Sequence, residues 1–364
     1  MHDVIVVGGG VIGLSIARQL AGRKSVLVLD RGVTGESASW AAAGMLAPLS
    51  EAGDQGPFFQ LCRASLGLYR QFAGEIHQES GIDCGYSDAG LLVLASSEDS
   101  ADSLRKKHAW QHKAGLEADL LSAEDVRRME PAVTAPIVTA LFMPTEHAVA
   151  PRPLLAALRE SCLRRGVDVR TGVRVESISK NFVQTDQATF GAQSIVVASG
   201  VWSGELQGLE PPIPVFPRKG QILSLGMPVG AFRHLIRWEQ SYFVPRKTGE
   251  LIVGATNEDA GFDRSVTPAG VGRLLADAQA ISSHVGSYPI LETWTGLRPA
   301  TPDGLPVIGA TAIPGVYYAT GHYRNGVLLA PITASIIADL IEGGTPKAPI
   351  EAFSPDRFHC SGGL

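Results

Sequence analysis

The sequence has few cysteines, few charges and no long apolar segment. Four cysteines occur in 364 residues, Cys62, Cys84, Cys162 and Cys360, and no two of them form a CxxC pair. This pattern argues against a disulfide framework or a zinc site and is typical of free thiols in a reducing compartment. Charged residues make up 18% of the chain, and the formal net charge of −5 comes without any basic run. These features do not suggest a protein that binds nucleic acid.

The later apolar runs are each interrupted by a charge or a glycine, so none is long enough to span a bilayer. The first residues lead directly into a strand-like pattern, which leaves no room for a signal peptide. We therefore expect a cytoplasmic protein without a membrane or nucleic-acid partner. The length of 364 residues favours two domains over a single core.

Glycine is abundant, and three glycines form a motif near the N-terminus. The apolar run Val4–Val7 precedes Gly8, Gly10 and Gly13, and a helical pattern and a second apolar run then end at Asp30. In this strand–turn–helix–strand order, the glycines permit a tight turn, the approach of a pyrophosphate and close packing of the helix. The helix N-terminus attracts the pyrophosphate, and Asp30 is placed to bind the ribose hydroxyls. The motif predicts an adenine dinucleotide, either NAD or FAD.

Small residues dominate the next segment, Ser37–Gly44. One interpretation is a helix start that is capped by Ser37 or Ser39. The other is a segment that passes close under a flat cofactor, where large side chains would clash. We favour the second because the segment directly follows the acid that is expected to bind ribose.

Apolar periodicity and turn signals predict the remaining elements. Helices are expected at 57–80, 98–117, 122–130, 151–166, 268–283 and 327–341. Strands are expected at 90–95, 141–144, 167–169, 173–175, 182–185, 194–198, 221–225, 242–245, 251–253, 290–297 and 316–319. Pro331 costs the last helix little if it lies in the first turn and kinks it if it lies deeper.

The order of these elements predicts an α/β fold with a discontinuous nucleotide-binding domain. Between residues 214 and 254 the strands are short and separated by turns, which indicates an antiparallel sheet. We expect a Rossmann-type domain with an inserted antiparallel-sheet substrate domain. The expected ranges are 1–84, 145–214 and 299–364 for the first domain and 85–144 and 215–298 for the second.

Six motifs give the chain a resemblance to a known family. They are VIVVGGGVIG at the N-terminus, WAAAGM at 40–45, VVASGVWSG at 196–204, YFVPRK at 242–247, GLRPATPDGLPVIG at 296–309 and GHYRNGVLLAP at 321–331. With these motifs the chain resembles the FAD-dependent D-amino-acid oxidase superfamily, most closely its glycine oxidase branch, over nearly the full length. The resemblance implies noncovalent FAD, since the C-terminal motifs contain no cysteine that could attach a flavin.

The resemblance also implies an activity, the oxidative deamination of glycine, sarcosine or D-alanine. A hydride would pass to flavin N5, the imino acid would hydrolyse to a 2-oxo acid and ammonia, and O2 would be reduced to hydrogen peroxide. Glycine oxidases often serve thiazole synthesis for thiamine and are often homotetramers. The alternatives are a D-amino-acid dehydrogenase that passes electrons to quinone and a noncatalytic redox sensor. No amphipathic basic helix that would dock a dehydrogenase on a membrane is evident.

Carried over position by position, the resemblance implies FAD contacts along much of the chain. Besides Gly8, Gly10 and Gly13 they are Val11, Ile12, Asp30, Arg31, Ala38, Ser39, Ala43, Gly44, Met45, Val173, His322, Tyr323, Arg324, Asn325, Gly326, Val327 and Leu328. The helix that begins near Gly326 would direct its positive N-terminus at the charge of the reduced flavin.

For the substrate, the resemblance places Arg298 at the carboxylate, with Tyr242 and Arg324 nearby. A guanidinium suits this role because it binds a carboxylate through two parallel N–H bonds. The alternatives are a surface salt bridge for Arg298, an ordinary strand aromatic for Tyr242 and pairing with an acid for Arg324. His322 is expected to face the flavin through its backbone, with a catalytic base as the alternative. Asn257 stands where a relative has methionine, and it affects substrate preference if it lines the pocket.

Overall fold

The computed structural model describes residues 1–32, 38–51, 53–209, 212–346 and 348–358. Helices α1 to α9 span Val11–Leu20, Ala38–Ala41, Pro48–Glu51, Pro57–Ser80, Glu98–Lys113, Ala123–Met129, Pro151–Arg164, Pro268–Ile281 and Gly326–Ile341. Strands β1 to β18 span His2–Val7, Val26–Asp30, Met45–Leu46, Leu91–Ala95, Asp119–Leu121, Thr139–Met143, His147–Ala148, Asp168–Thr171, Val175–Ser179, Phe182–Thr185, Thr189–Val197, Phe216–Gly226, Leu235–Trp238, Ser241–Pro245, Glu250–Gly254, Ile290–Ala300, Val307–Ala310 and Val316–Thr320.

The first sheet has eight strands and contains the N-terminal motif. Strands β18, β11, β1, β2 and β8 are parallel neighbours in that order. The central strand β1 is apolar and buried over Val4–Val7, as expected of a strand that is covered on both faces. The glycine turn therefore lies at the carboxyl ends of the parallel strands, where open α/β sheets bind their ligands.

The second sheet also has eight strands, in the order β16, β12, β15, β14, β13, β4, β6, β5. All its neighbours are antiparallel except β13 and β4, which are parallel. A first sheet whose five central strands are parallel and a largely antiparallel second sheet confirm the predicted fold class. Strand β13, Leu235–Trp238, has no counterpart among the predicted strands.

Two predicted elements have the wrong limits around glycines. The strand expected at 173–175 is wrong, because β9 begins only at Val175. Gly172 has a φ of +71° and turns the chain, after which the Val173 N–H donates to the carbonyl of Asp30 at 2.9 Å. The helix expected to reach residue 117 ends at Lys113, since Gly115 has a left-handed φ of +67°.

The strand expected at 290–297 is longer than predicted. It continues through Arg298 and Pro299 to Ala300. Proline is tolerated here because β16 forms an edge of its sheet, where a missing N–H breaks no ladder hydrogen bond. Arg298 therefore projects from a strand and not from a loop.

Pro331 lies beyond the first turn of α9. Because proline has no N–H, the carbonyl of Val327 loses its helical donor. The hydroxyl of Tyr69, a fully buried side chain, donates to this carbonyl at 2.8 Å. Ser65 donates to the next carbonyl, that of Leu328, at 2.6 Å. Helix α4 therefore supplies the hydrogen bond that α9 lacks, which fixes the two helices against each other.

Cys62, Cys84 and Cys162 are buried free thiols, and Cys360 lies outside the described residues. Among the residues that the structure describes, no helix is long and apolar enough to span a membrane. The same part of the chain holds no cluster of histidine, cysteine and acidic side chains that could bind a metal ion.

Candidate active site

A cavity of about 750 Å3 begins at the carboxyl ends of β1 and β2 and extends to β12, β14 and β16 of the second sheet. It is lined by residues of the glycine motif, of segment 38–45 and of loop 322–327, and by Arg298 and Tyr242. Of the residues predicted for the cofactor and the substrate, only Gly13 and Leu328 do not line it. The structure thus brings together residues that are far apart in the sequence.

Two glycines of the motif leave no room for a side chain. Gly8 has a φ of +112°, and a Cβ added there would lie 2.4 Å from the carbonyl oxygen of Ala198. A Cβ on Gly13 would lie 1.9 Å from the carbonyl oxygen of Gly8. These distances agree with a tight turn at the first glycine and helix packing at the third.

The acid and the helix N-terminus lie beside this turn. Asp30 accepts hydrogen bonds from the N–H groups of Gly9, at 2.5 Å, and Gly32, at 2.7 Å. Helix α1 follows Gly10, which has no side chain to cap it, and Ser39 accepts a hydrogen bond from the Val11 N–H at 3.1 Å. Ser39 thus contacts the N-terminus of α1, which supports a position beside the cofactor, while Ser37 lies outside the described residues. These groups fit an adenine dinucleotide.

The backbone after α2, a run of small residues, is bound by Arg246. The sequence did not indicate that Arg246 belongs to the site. Arg246, which is partly buried, donates to the carbonyls of Ala43, at 2.5 Å, and Val149, at 2.8 Å. Burial lowers the pKa of Arg246 to about 10, which leaves it charged at neutral pH. Gly44 has a φ of +82°, and an added Cβ would lie 2.1 Å from the Val149 carbonyl oxygen. The segment is therefore fixed by its backbone.

Two tryptophans and an arginine join the same segment to the second sheet. The Arg152 guanidinium carbon lies 3.6 Å from the ring centroid of Trp40 and 4.6 Å from that of Trp294. Arg152 also binds both oxygens of Glu292, at 2.7 and 3.1 Å. The Trp294 indole N–H donates to the carbonyl of Ala41 at 3.0 Å. These contacts set how the segment lies against β16.

At the far end of the cavity, Arg298 is fixed by backbone carbonyls. Its Nη1 atom donates to the carbonyls of Thr256, at 3.2 Å, and Lys219, at 3.4 Å. The guanidinium lies over Gly220, where an added Cβ would approach Nη2 to 2.4 Å. Any residue other than glycine at position 220 would displace the guanidinium.

Tyr242 lines the cavity next to Arg298. Burial raises the pKa of Tyr242, and the guanidinium of Arg298, which interacts with the hydroxyl, offsets part of that shift. The phenol therefore stays protonated at neutral pH and keeps a hydrogen to donate. A phenol donor beside a guanidinium can bind a single carboxylate.

Arg324 pairs with an acid that the sequence had not indicated. Its Nη2 atom lies 3.3 Å from Oε2 of Glu51, and 48% of the Arg324 side chain is exposed. Arg237 of β13 binds the other oxygen of Glu51 at 2.9 Å. All three side chains line the cavity, so Arg324 both pairs with an acid and stays near the substrate end. Because apolar periodicity did not indicate strand β13, the position of Arg237 at the site could not be expected from the sequence.

His322 is buried, and its Nε2 atom lies 3.1 Å from Oγ1 of Thr333 in α9. Burial lowers the pKa of His322 to about 3, so its imidazole is neutral at physiological pH. These features favour a structural imidazole over a catalytic base. Asn257 does line the cavity, and its Oδ1 atom accepts a hydrogen bond from the Tyr323 hydroxyl at 3.4 Å.

Comparison with known proteins identifies the family. The family model described as FAD dependent oxidoreductase matches residues 3–340. This chain belongs to that family. The glycine oxidase of Geobacillus kaustophilus is 34% identical to this chain over 98% of this chain and 97% of its own length. A crystal structure of glycine oxidase from the same organism has a TM-score of 0.94 at 33% identity and covers 98% of both chains.

A longer relative of this FAD dependent oxidoreductase also matches. The bifunctional protein ThiO/ThiG of a Synechocystis strain is 38% identical over 98% of this chain but over only 54% of its own length. The chain thus spans about half the length of this curated relative. The predicted cofactor FAD is confirmed by the family, and the NAD alternative does not hold.

Proposed function

We propose that this enzyme catalyses the oxidative deamination of glycine or another small amino acid, such as sarcosine or D-alanine. The observation that carries the proposal is the position of Arg298 and Tyr242 in the cavity that the glycine turn also lines. Relatives called glycine oxidase that match over nearly their whole length support it.

FAD would be held by residues along the cavity that the sequence predicts for it. The N-terminus of α1 would bind the pyrophosphate, Asp30 the ribose, and segment 38–45 and loop 322–327 the flavin end. When bound, FAD supplies the acceptor for the hydride that leaves the substrate α carbon.

The chain's own residues would orient the substrate. Arg298 would bind the α-carboxylate through two N–H bonds and Tyr242 would donate a third hydrogen bond, so that the α C–H is held in place. Burial lowers the pKa of His322 to about 3, so His322 would not serve as the general base, and the amine would be bound uncharged. Water would hydrolyse the imino acid to a 2-oxo acid and ammonia, and O2 would take up the two electrons and two protons as hydrogen peroxide.

The domain division and the setting of the enzyme are also proposals. Residues 1–84, 145–214 and 299–364 would form the FAD-binding domain, and 85–144 and 215–298 the substrate domain. The free buried thiols support a cytoplasmic location. The resemblance supports a homotetramer, and we expect no nucleic-acid or membrane partner. The likeness to ThiO/ThiG supports a role in the synthesis of the thiamine thiazole.

A peroxide assay with glycine, sarcosine, D-alanine and D-proline tests the proposal. We expect hydrogen peroxide with at least glycine, together with anaerobic bleaching of the flavin absorbance by the same amino acid. The second candidate is a D-amino-acid dehydrogenase. Reduction of a quinone dye without any peroxide would favour that enzyme and contradict an oxidase.

A further inference from the structure

We propose that Lys219 is a positioning residue for Arg298. Its buried ammonium fastens residues 255–267, here called the strap, to β12, and this contact sets the two carbonyls that orient the guanidinium. The inference rests on the proposed function, since it assumes that Arg298 binds the substrate carboxylate. It assigns a role to a buried charge that the reaction itself does not use.

The ammonium of Lys219 is buried and contacts the strap. The Lys219 side chain is only 1% exposed, although it lies on a strand at the cavity. Its Nζ atom binds Oδ2 of Asp263 at 2.5 Å and lies 3.4 Å from the Ser265 hydroxyl and 3.8 Å from Oε2 of Glu258. All three partners belong to the strap. A buried lysine is costly unless it is paired, so the ammonium holds the strap in place.

The backbone of the strap, which connects β15 to α8, pairs with that of β12. The Glu258 N–H donates to the Lys219 carbonyl at 2.9 Å, and the Lys219 N–H donates back to the Glu258 carbonyl at 3.0 Å. Two positions along β12, the Gln221 N–H donates to the Thr256 hydroxyl at 2.8 Å, and the Thr256 N–H donates to the Gln221 carbonyl at 3.2 Å. The strap therefore lies along β12 in a fixed register.

The register between the strap and β12 affects the substrate end of the cavity through Arg298. Arg298 donates to one carbonyl on β12, that of Lys219, and to one on the strap, that of Thr256. The position of the guanidinium thus depends on the spacing between the strand and the strap. Asn257 and Arg264 of the strap also line the cavity, so a loosened strap would change the wall that faces the substrate.

The carboxylate of Asp263 that Lys219 contacts keeps its charge over the working range of pH. The hydrogen bond from Lys219 lowers the pKa of Asp263 to about 2, so its carboxylate is charged in any solution near neutrality. Glu258 also has a lowered pKa; burial opposes that shift, and hydrogen bonds from Thr256 and Gln221 outweigh it. The strap is therefore a fixed support and not a pH-dependent lid.

The test is Lys219→Met, which keeps the length of the side chain and removes the ammonium. Glycine kinetics, thermal unfolding and flavin content are measured on the FAD-loaded enzyme, together with the Kd for acetate from the change in flavin absorbance. We expect the KM for glycine and the Kd for acetate to rise together by about tenfold, while kcat falls less than about threefold. Flavin content and the shape of the pH profile should stay as in the wild type.

Arg218→Met is the matched control. Arg218 precedes Lys219 on β12 and also pairs with the strap, through Asp259 at 3.4 Å, but its side chain is 34% exposed and that of Asp259 is 77% exposed. Because exposed pairs contribute little, this variant should leave the KM and the acetate Kd within about twofold of the wild type. If Lys219→Met does not fold, Asp263→Asn takes its place in the test, because Asp263 is half-exposed and its substitution leaves the core intact. Where both single variants fold, the double variant Lys219→Met/Asp263→Asn should bind acetate no more weakly than the weaker of the two.

The outcomes separate the two proposals. Wild-type enzyme that binds FAD but does not oxidise any small amino acid would overturn the proposed function, while the acetate titration would still report on the strap. A lower Tm in both Lys219→Met and Asp263→Asn with unchanged KM and acetate Kd would show that the pair merely stabilises the fold. That result would overturn the positioning role.

Discussion

The two ends of the cavity are built in different ways. The nucleotide end consists of glycines and backbone N–H groups within the first 32 residues, with Asp30 and Ser39 beside them. The substrate end consists of side chains held by distant carbonyls, for instance Arg298 by Lys219, 79 positions away. The first end therefore leaves no room for a side chain at Gly8 or Gly13, whereas the second end depends on the orientation of its side chains. Substitutions should affect cofactor binding at one end and substrate binding at the other.

Gly8→Ala should have the largest effect. The added Cβ would collide with the Ala198 carbonyl at a backbone angle that alanine rarely adopts. We expect loss of nearly all bound flavin, measured by visible absorbance of the purified protein. Gly22→Ala is the control, because Gly22 also has a positive φ, +83°, but an added Cβ would meet nothing within 4 Å. A flavin content near that of the wild type in Gly8→Ala would contradict the role of the turn.

Arg298→Lys should affect the other end only. Lysine cannot form two parallel N–H bonds and would lose the hydrogen bonds to the Thr256 and Lys219 carbonyls. We expect kcat/KM for glycine to fall on the order of a hundredfold, with flavin content unchanged. Steady-state kinetics by peroxide release measures the effect, and wild-type kcat/KM in the variant would exclude Arg298 from the site.

Tyr242→Phe should have a smaller effect at the same end. It removes one hydrogen-bond donor and leaves Arg298 in place, so we expect kcat/KM to fall about tenfold. Because burial raises the pKa of Tyr242, its hydroxyl keeps its proton as the solution becomes alkaline. The alkaline limb of the wild-type pH profile should therefore persist in Tyr242→Phe. Its disappearance would show that this phenol titrates in the reaction.

His322→Gln should have the smallest effect on activity and a measurable effect on stability. Burial lowers the pKa of His322 from 6.5 to about 3, so between these values the unfolded chain binds a proton that the folded chain does not. Stability should then fall as the pH drops below 6.5, by up to about 1.4 kcal/mol per pH unit for this group. Urea unfolding at several pH values should show a weaker acid dependence in His322→Gln. An altered pH profile of kcat/KM would instead favour a catalytic base.

The difference between the two ends also explains what the sequence could reveal. Gly8, Gly13 and Asp30 are close in sequence, and their spacing alone predicts the turn and the acid that the structure contains. By contrast, Glu51 meets Arg237 across 186 positions, on a strand that periodicity did not indicate. Such pairs depend on the order of strands in the sheet, which is a tertiary property.

Two prolines show how tertiary contacts change what the sequence predicts for a strand and a helix. The expected strand ended at Leu297, but the edge position of β16 lets the strand continue through Pro299 to Ala300. The sequence placed Pro331 in the last helix but left open whether it lies in the first turn or deeper. It lies deeper, where Tyr69 of another helix donates a hydrogen bond to the carbonyl that the proline leaves without a donor. Local sequence rules therefore predicted most helices and strands. They could not predict the places where tertiary contacts let an element continue past a proline.

The most direct test is a crystal structure of the FAD-loaded enzyme with acetate bound. The account predicts that the acetate carboxylate lies within hydrogen-bond distance of the Arg298 guanidinium and the Tyr242 hydroxyl, with its methyl group toward the flavin ring. A structure in which the side chain of Arg298 faces bulk solvent, with acetate bound elsewhere, would contradict it.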